Sequence, residues 1–210
     1  KVNSETDFAA KSVSFLNFLD NLGNLVLKNN TIIQKDEFLN LEYEKGTVLD
    51  YFNSMIAKIG ENLVLNELSI KENKDTNYAY YIHNSYRDNI GKIISLLEYS
   101  TNKDADEIKT LSKNLCMHIA AMKPESLDIT DLDKNIILRE EQIQKELILN
   151  TGKPSNIVDK ILKGKMKKFY SEVTLLNQSF ILDQDRSIKS VIKDFSSFEF
   201  QLISFELISL

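Results

Sequence analysis

The sequence predicts an α+β fold carrying an antiparallel helical hairpin. Three observations lead there. Apolar residues recur at helical spacing on both sides of a central region rich in Tyr, Ile and Leu, where the spacing changes toward that of strands. Three β-favouring segments follow one another in that region, joined by polar loops, which predicts a small antiparallel sheet with helices on one face. Farther on, two helical stretches are separated only by Thr151-Gly152-Lys153-Pro154, a connection so short that the helices must be antiparallel neighbours.

The chain opens on Val2-Asn3-Ser4-Glu5-Thr6-Asp7-Phe8-Ala9-Ala10-Lys11, which reads as the end of a strand, a polar turn and the approach to a helix. Asp7 and Phe8 stand side by side there, and an aromatic in a polar turn either packs onto its own core or is offered to something else. Phe15, Leu19, Leu22 and Val26 then mark a helix with Ser12 or Ser14 as N-cap, ending at Asn29-Asn30-Thr31. Thr47-Val48-Leu49-Asp50 has the capping-box pattern and opens a second helix through Val48, Phe52, Ile56 and Ile59, with Gly60 at its C-terminus. The predicted strands are Leu63 to Ile70, with a break in alternation that suggests a bulge, then Asn77 to Asn84 and Ile90 to Tyr99.

Helix returns from Ala105 to Lys123, with Ile108, Leu111, Leu115, Ile119 and Met122 on one face and Pro124 as its stop. After a loop with acids at Asp128, Asp131 and Asp133 come the hairpin helices. The first, about Asn135 to Asn150, shows Ile136, Ile143 and Leu147 as a narrow apolar stripe. The second, about Ser155 to Glu172, shows Val158, Ile161 or Leu162, Met166, Phe169 and Val173. Narrow stripes flanked by charge fit a protruding coiled-coil arm. Leu175, Leu176, Phe180 and Ile181 read as extended, Ser187 to Phe195 as a short helix, and Phe198 to Leu207 as a bulged or two-side-buried strand.

Bulk properties narrow the function. A chain of 210 residues can bury a core as one domain or as two small lobes. A formal charge of −5 argues against a general nucleic-acid binder. One cysteine and two histidines leave no disulfide framework and too few ligands for a His/Cys zinc site. No apolar run is long enough to span a bilayer. The chain begins at Lys1, without methionine and in mid-pattern, as a piece of a longer protein would.

No phosphate-binding glycine loop, dinucleotide fingerprint or nucleophile-elbow sequence is present. Asp183-Gln184-Asp185 lacks the glycine and spacing of a calcium loop. Cys116 and His118 are two residues apart and do not face each other on a helix, against a Cys–His nucleophile. His118 falls on or beside the apolar face of its helix, where a buried structural histidine is the ordinary reading. Lys160, Lys163, Lys165, Lys167 and Lys168 make the second hairpin helix basic, either a solvated face or a docking surface for an acidic partner or RNA. No catalytic set assembles, so a binding role is expected, with no cofactor and no metal.

Three separated segments resemble the elongation factor Ts family. They are Val2-Asn3-Ser4-Glu5-Thr6-Asp7-Phe8, then Leu115-Cys116-Met117-His118-Ile119-Ala120-Ala121-Met122-Lys123-Pro124, then Gly152-Lys153-Pro154 through Ile161 with Gly164-Lys165-Met166-Lys167-Lys168-Phe169-Tyr170 and on to Phe180. Gly60-Glu61-Asn62, Tyr80, His83 and Ile90-Gly91 match more weakly. Ala9 and Asn89 depart from the family's pattern. The resemblance implies two subdomains of short antiparallel sheets with helices, at 1–102 and at 103–134 with 173–210, and a helical hairpin inserted at 135–172. It implies a guanine-nucleotide exchange factor for elongation factor Tu, not an enzyme, that meets its GDP-bound and nucleotide-free partner through Thr6, Asp7, Phe8, Ile90, Gly91 and His118. The alternative is an interaction scaffold using the hairpin without exchange activity. Direct nucleic-acid or membrane binding is not implied, a homodimer is compatible, and the bacterial cytoplasm is the expected compartment, or a mitochondrion or plastid were a transit peptide to precede Lys1.

Overall fold

The computed structural model describes residues 1–29, 31, 34–150 and 154–209. The predicted turn at Thr151-Gly152-Lys153 and Asn30 of the first predicted loop lie outside the described residues. Two compact units emerge, one of Lys1–Lys74, Ile82–Ile94 and Ile208–Leu210, the other of Asp75–Tyr81 and Ser95–Leu207. The fold is α+β throughout.

In the first unit, strand β1 (Val2–Ser4) leads into a one-turn helix α1 (Asp7–Ala10) and the long helix α2 (Val13–Lys28). Helix α2 starts at Ser12, whose side chain accepts the Phe15 N–H and so satisfies one of the free donors of the first turn. A short helix α3 (Lys35–Leu39) and a tight hairpin of β2 (Glu42–Tyr43) and β3 (Gly46–Thr47) precede α4 (Val48–Ile59). The predicted capping box is present. Thr47 Oγ1 accepts from the Asp50 N–H at 3.1 Å, and the Asp50 carboxylate accepts from the Thr47 N–H at 2.8 Å. Gly60 closes α4 in the left-handed conformation, φ 80°, where a side chain would be strained. Phe15, Phe18, Leu22, Phe38, Val48, Phe52 and Met55 form the core, with the Phe18 and Phe52 rings edge-on at 4.7 Å.

The sheet expectation needs correction at one strand. Only Leu63–Leu65 (β4) is extended and paired, and its partner is β1, antiparallel with Val2 opposite Leu65. The predicted strand to Ile70 stops early because β1 offers only three residues to pair with. Beyond them the Lys1 carbonyl takes the Asn66 N–H, and the terminal ammonium donates to the Glu67 carbonyl at 2.7 Å.

The larger sheet has the order β5-β6-β9, from Asn77–Arg87 (β5), Ile90–Ser100 (β6) and, more than a hundred residues later, Gln201–Ser209 (β9). In the second unit its inward side chains meet α5 (Asp106–Met122) in a core of Leu97, Tyr99, Ile108, Leu111, Leu115, Ile119, Leu175, Ile188 and Phe200. Strands β7 (Ser179–Phe180) and β8 (Asp183–Ser187) form a small hairpin beside α8 (Ile188–Lys193). Leu175 and Leu176 lie in a 3-10 turn, not a strand, and the last strand begins at Gln201 because Phe198 closes another 3-10 turn and Glu199 is left-handed at φ 48°.

Helices α6 (Lys134–Leu149) and α7 (Ser155–Val173) pack as the predicted hairpin. On α7 the expected residues face inward, with Val158, Leu162 and Met166 buried and Phe169 beside them. On α6 the seam is different from the predicted one. Ile148 and Ile137 pack against α7, while Ile136, Ile143 and Leu147 are exposed. Successive helix positions are about 100° apart, so the two stripes lie side by side and the neighbour decides which is buried.

Candidate functional site

The opening corner is held in place from two directions within the first unit. Thr6 sits in extended backbone as the N-cap of α1, its Oγ1 accepting the Ala9 N–H at 3.2 Å. The Glu61 carboxylate clasps Thr6 with both oxygens, accepting the Thr6 N–H at 3.0 Å and the Oγ1 hydroxyl at 2.6 Å. Glu61 follows Gly60, so the C-cap of α4 aims this carboxylate at the corner. Charge-assisted bonds to two donors of one residue leave it little freedom.

Asp7, the next residue, accepts a hydrogen bond from Lys92 Nζ at 2.8 Å. That bond holds the Asp7 carboxyl below the usual carboxylate range, and the same bond raises the Lys92 ammonium above its ordinary value. Lys92 is the third residue of β6, directly after Ile90 and Gly91. A cavity of about 460 Å³ in this unit is lined by Asp7, Ile90, Gly91 and Lys92 together with Phe15, Leu22 and Leu65. The structure therefore brings Thr6, Asp7, Ile90 and Gly91 to one neighbourhood.

Gly91 is required there by packing. A β-carbon at this position would overlap Ile82 Cγ2 and lie 3.1 Å from the His83 carbonyl oxygen. The turn itself, Asp88-Asn89, uses Asn89 in the left-handed region, φ 62°, which Asn tolerates better than most residues.

Phe8 is 90% exposed. Helix α1 turns Ala9 and Ala10 into the core and leaves Phe8 on the other side. Single exposed apolar residues are common on protein surfaces and need no explanation by themselves. This one differs in its mounting: the residues before it are fixed by Glu61 and Lys92, and the residues after it are buried.

His118 lies on α5 in the second unit and is completely buried. Its Nδ1 accepts the Ile181 N–H at 3.2 Å, so its Nε2 carries the proton and donates to Gln178 Oε1 at 2.8 Å. Burial lowers its pKa, against the opposing effect of the Gln178 bond, and the ring is neutral near pH 7. In this structure His118 offers no surface of its own. Cys116 is equally buried, with its thiol pushed up to about 12 by burial, which removes it as a nucleophile.

Among the described residues no group of three His, Cys, Asp or Glu side chains could hold a metal ion, and no helix is long and apolar enough to cross a membrane. Of the two supports of the corner, Glu61 lies in the weakly matching Gly60-Glu61-Asn62, and Lys92 has no signal beyond its adjacency to Ile90-Gly91.

Residues 5–210 match the family model for elongation factor Ts. The elongation factor Ts of Ehrlichia canis is 39% identical over 194 residues, which cover 92% of this chain and 67% of that protein. That of Ehrlichia ruminantium is 38% identical over 195 residues, with the same coverage, and that of Rickettsia felis 35% over 196, covering 62% of its length. The chain thus spans about two thirds of the curated relatives it matches. With the corner, the histidine-bearing helix and the hairpin all in place, the chain belongs to the elongation factor Ts family, the non-catalytic nucleotide exchange factors of elongation factor Tu.

Proposed function

We propose that the Thr6–Phe8 corner is the working element of this chain, and that it promotes GDP release from elongation factor Tu by inserting Phe8 between partner side chains near the Mg²⁺ and nucleotide site. The observation that carries this reading is the 90% exposure of Phe8 on a corner whose backbone is braced by Glu61 and Lys92. A braced aromatic loses little conformational freedom on docking, so more of its burial counts toward binding.

No bond need be made or broken. Mg²⁺ neutralises the phosphates of GDP and is the largest local charge, so moving an element that holds it weakens the nucleotide's hold. For this to drive release, the factor must bind the nucleotide-free partner more tightly than the GDP-bound one. Asp7 makes a polar contact in this scheme, and Ile90 and Gly91 support it from the start of β6. His118 contributes through the Ile181 segment that it holds. The finer partner states, GDP-bound and nucleotide-free, and the bacterial cytoplasm as the setting belong to the same reading.

The exposed stripe of Ile136, Ile143 and Leu147 favours a second reading, a scaffold that binds through the hairpin without exchange. Release of a fluorescent GDP analogue from elongation factor Tu separates the two. Acceleration by this chain supports exchange, and binding without acceleration supports the scaffold.

A further inference from the structure

His118 and Gln178 form a buried polar chain that reaches two exposed features of the second unit. At one end the Ile181 N–H donates to His118 Nδ1, which fixes the tip of the β7–β8 hairpin at Ile181-Leu182. In the middle His118 Nε2–H donates to Gln178 Oε1 at 2.8 Å. At the other end Gln178 Nε2 donates to the Glu172 carbonyl at 2.7 Å, in the last turn of α7. Both side chains are fully buried. Apolar residues would fill this space without the need to satisfy every donor and acceptor, and a buried polar chain is tolerated only when complete. What such a chain adds is a fixed geometry.

The base of the arm has another attachment, made by backbone alone. The Glu125 N–H donates to the Val173 carbonyl at 2.8 Å and the Leu175 N–H to the Ser126 carbonyl at 2.9 Å. These bonds run as one strip, continued by the Leu176 N–H to the Leu127 carbonyl at 3.0 Å, with the Asn177 amide donating to the Asp128 carboxylate at 2.9 Å beside it. The Gln178 amide is an attachment off that strip, and it leads to α5.

We propose that His118 and Gln178 are positioning residues for exchange: through their hydrogen-bond chain they lock the α6–α7 arm at the angle at which it meets elongation factor Tu. This rests on the exchange reading above and adds to it that the arm meets the same partner through its exposed Ile136, Ile143 and Leu147. It also explains how a fully buried histidine serves an interaction it cannot touch. Helix α6 has 16 residues, and at 1.5 Å per residue it is about 24 Å long. A tilt of ~10° at the base therefore moves the tip by ~4 Å, and contacts of a functional site tolerate only ~0.5 Å.

The test is Gln178→Met, which keeps volume and cuts both links. Spin labels at Lys145→Cys on α6 and Lys113→Cys on α5 report the arm by electron–electron distance measurement, since buried Cys116 stays unlabelled in the folded chain. The expected result is a distance distribution broadened or shifted by ~3 Å, since Lys145 lies ~16 Å along α6 from its base. KM for elongation factor Tu·GDP should rise roughly 3–30-fold, with kcat changed less than about twofold because the Phe8 corner is intact. Should Gln178→Met fail to fold, Gln178→Leu, likewise without donor or acceptor and of similar volume, carries the same measurement. An arm distance unchanged in the folded variant, or an unchanged KM, overturns the proposal. A wild-type chain that never accelerates release while the variant's arm shifts would fail the exchange reading and leave the positioning of the arm standing.

Discussion

Phe8→Ala is the substitution whose consequences can be worked out most fully. The side chain is exposed in the free chain, so its removal should change folding stability by no more than about 0.5 kcal/mol, as for other surface positions. Docked against a partner, the same ring goes from water to an apolar site, which is worth roughly 1.5–3 kcal/mol. At 1.4 kcal/mol per factor of ten, losing it should weaken the productive complex by about 10- to 150-fold. The assay is release of a fluorescent GDP analogue from elongation factor Tu over a range of factor concentrations, alongside a thermal melt of the free variant. The variant should exchange slowly and melt where wild type does. Wild-type exchange by Phe8→Ala would refute the wedge, and a large loss of melting temperature would show Phe8 to be core after all.

Three further outcomes follow from the same geometry. Lys92→Met should let the Asp7 carboxyl titrate upward toward the ordinary value of 3.8, read by NMR; an unmoved midpoint contradicts the ion pair. Because the folded pKa of Asp7 is depressed, any stability the pair contributes is present above that ordinary value and lost as pH falls through the folded one. Gly91→Ala should cost about 1–3 kcal/mol by overpacking against Ile82. Ile82→Ala in the same chain should return part of that loss, and no recovery would place the strain elsewhere. The folded pKa of His118 lies below the 6.5 of a free histidine, so the unfolded chain takes up a proton first as pH drops. Denaturant midpoints should fall as pH descends from 6.5 toward the folded value, and His118→Asn should flatten that dependence; equal pH slopes in the two proteins would contradict a neutral buried ring.

Local chemistry was legible in the sequence wherever it was complete within a few residues. Thr47, Asp50 and Gly60 specify the start and stop of α4 by their own capping bonds, and the structure has all three. The hairpin likewise follows from two helical patterns with almost no chain between them. Where the deciding neighbour is far away, the sequence is ambiguous for a physical reason. Helix α6 carries two adjacent apolar stripes, and only the presence of α7 selects Ile137 and Ile148 over Ile136, Ile143 and Leu147. Strand pairing shows the same limit, since β4 pairs with β1 and not with β5, and β6 pairs with the distant β9 as well as with its neighbour β5.

At the candidate site the residues of the corner were readable and their supports were not. Asp7 and Phe8 stand out as an acid and an aromatic in a polar turn. Lys92 lies 85 positions from Asp7, and Glu61 lies 55 from Thr6, with nothing in either segment to announce the pairing. His118 could be placed on the apolar face of its helix, which its burial agrees with. Its partners Gln178 and Ile181 come from a turn and a hairpin whose approach to α5 depends on the whole second unit.

The most direct test of the account is the simplest one. Elongation factor Tu loaded with a fluorescent GDP analogue is mixed with excess GDP, with and without this chain, and the release rate is followed as the chain's concentration rises. The expected result is a saturable acceleration that Phe8→Ala largely removes. A release rate that stays at its spontaneous value at every concentration of the wild-type chain would contradict it.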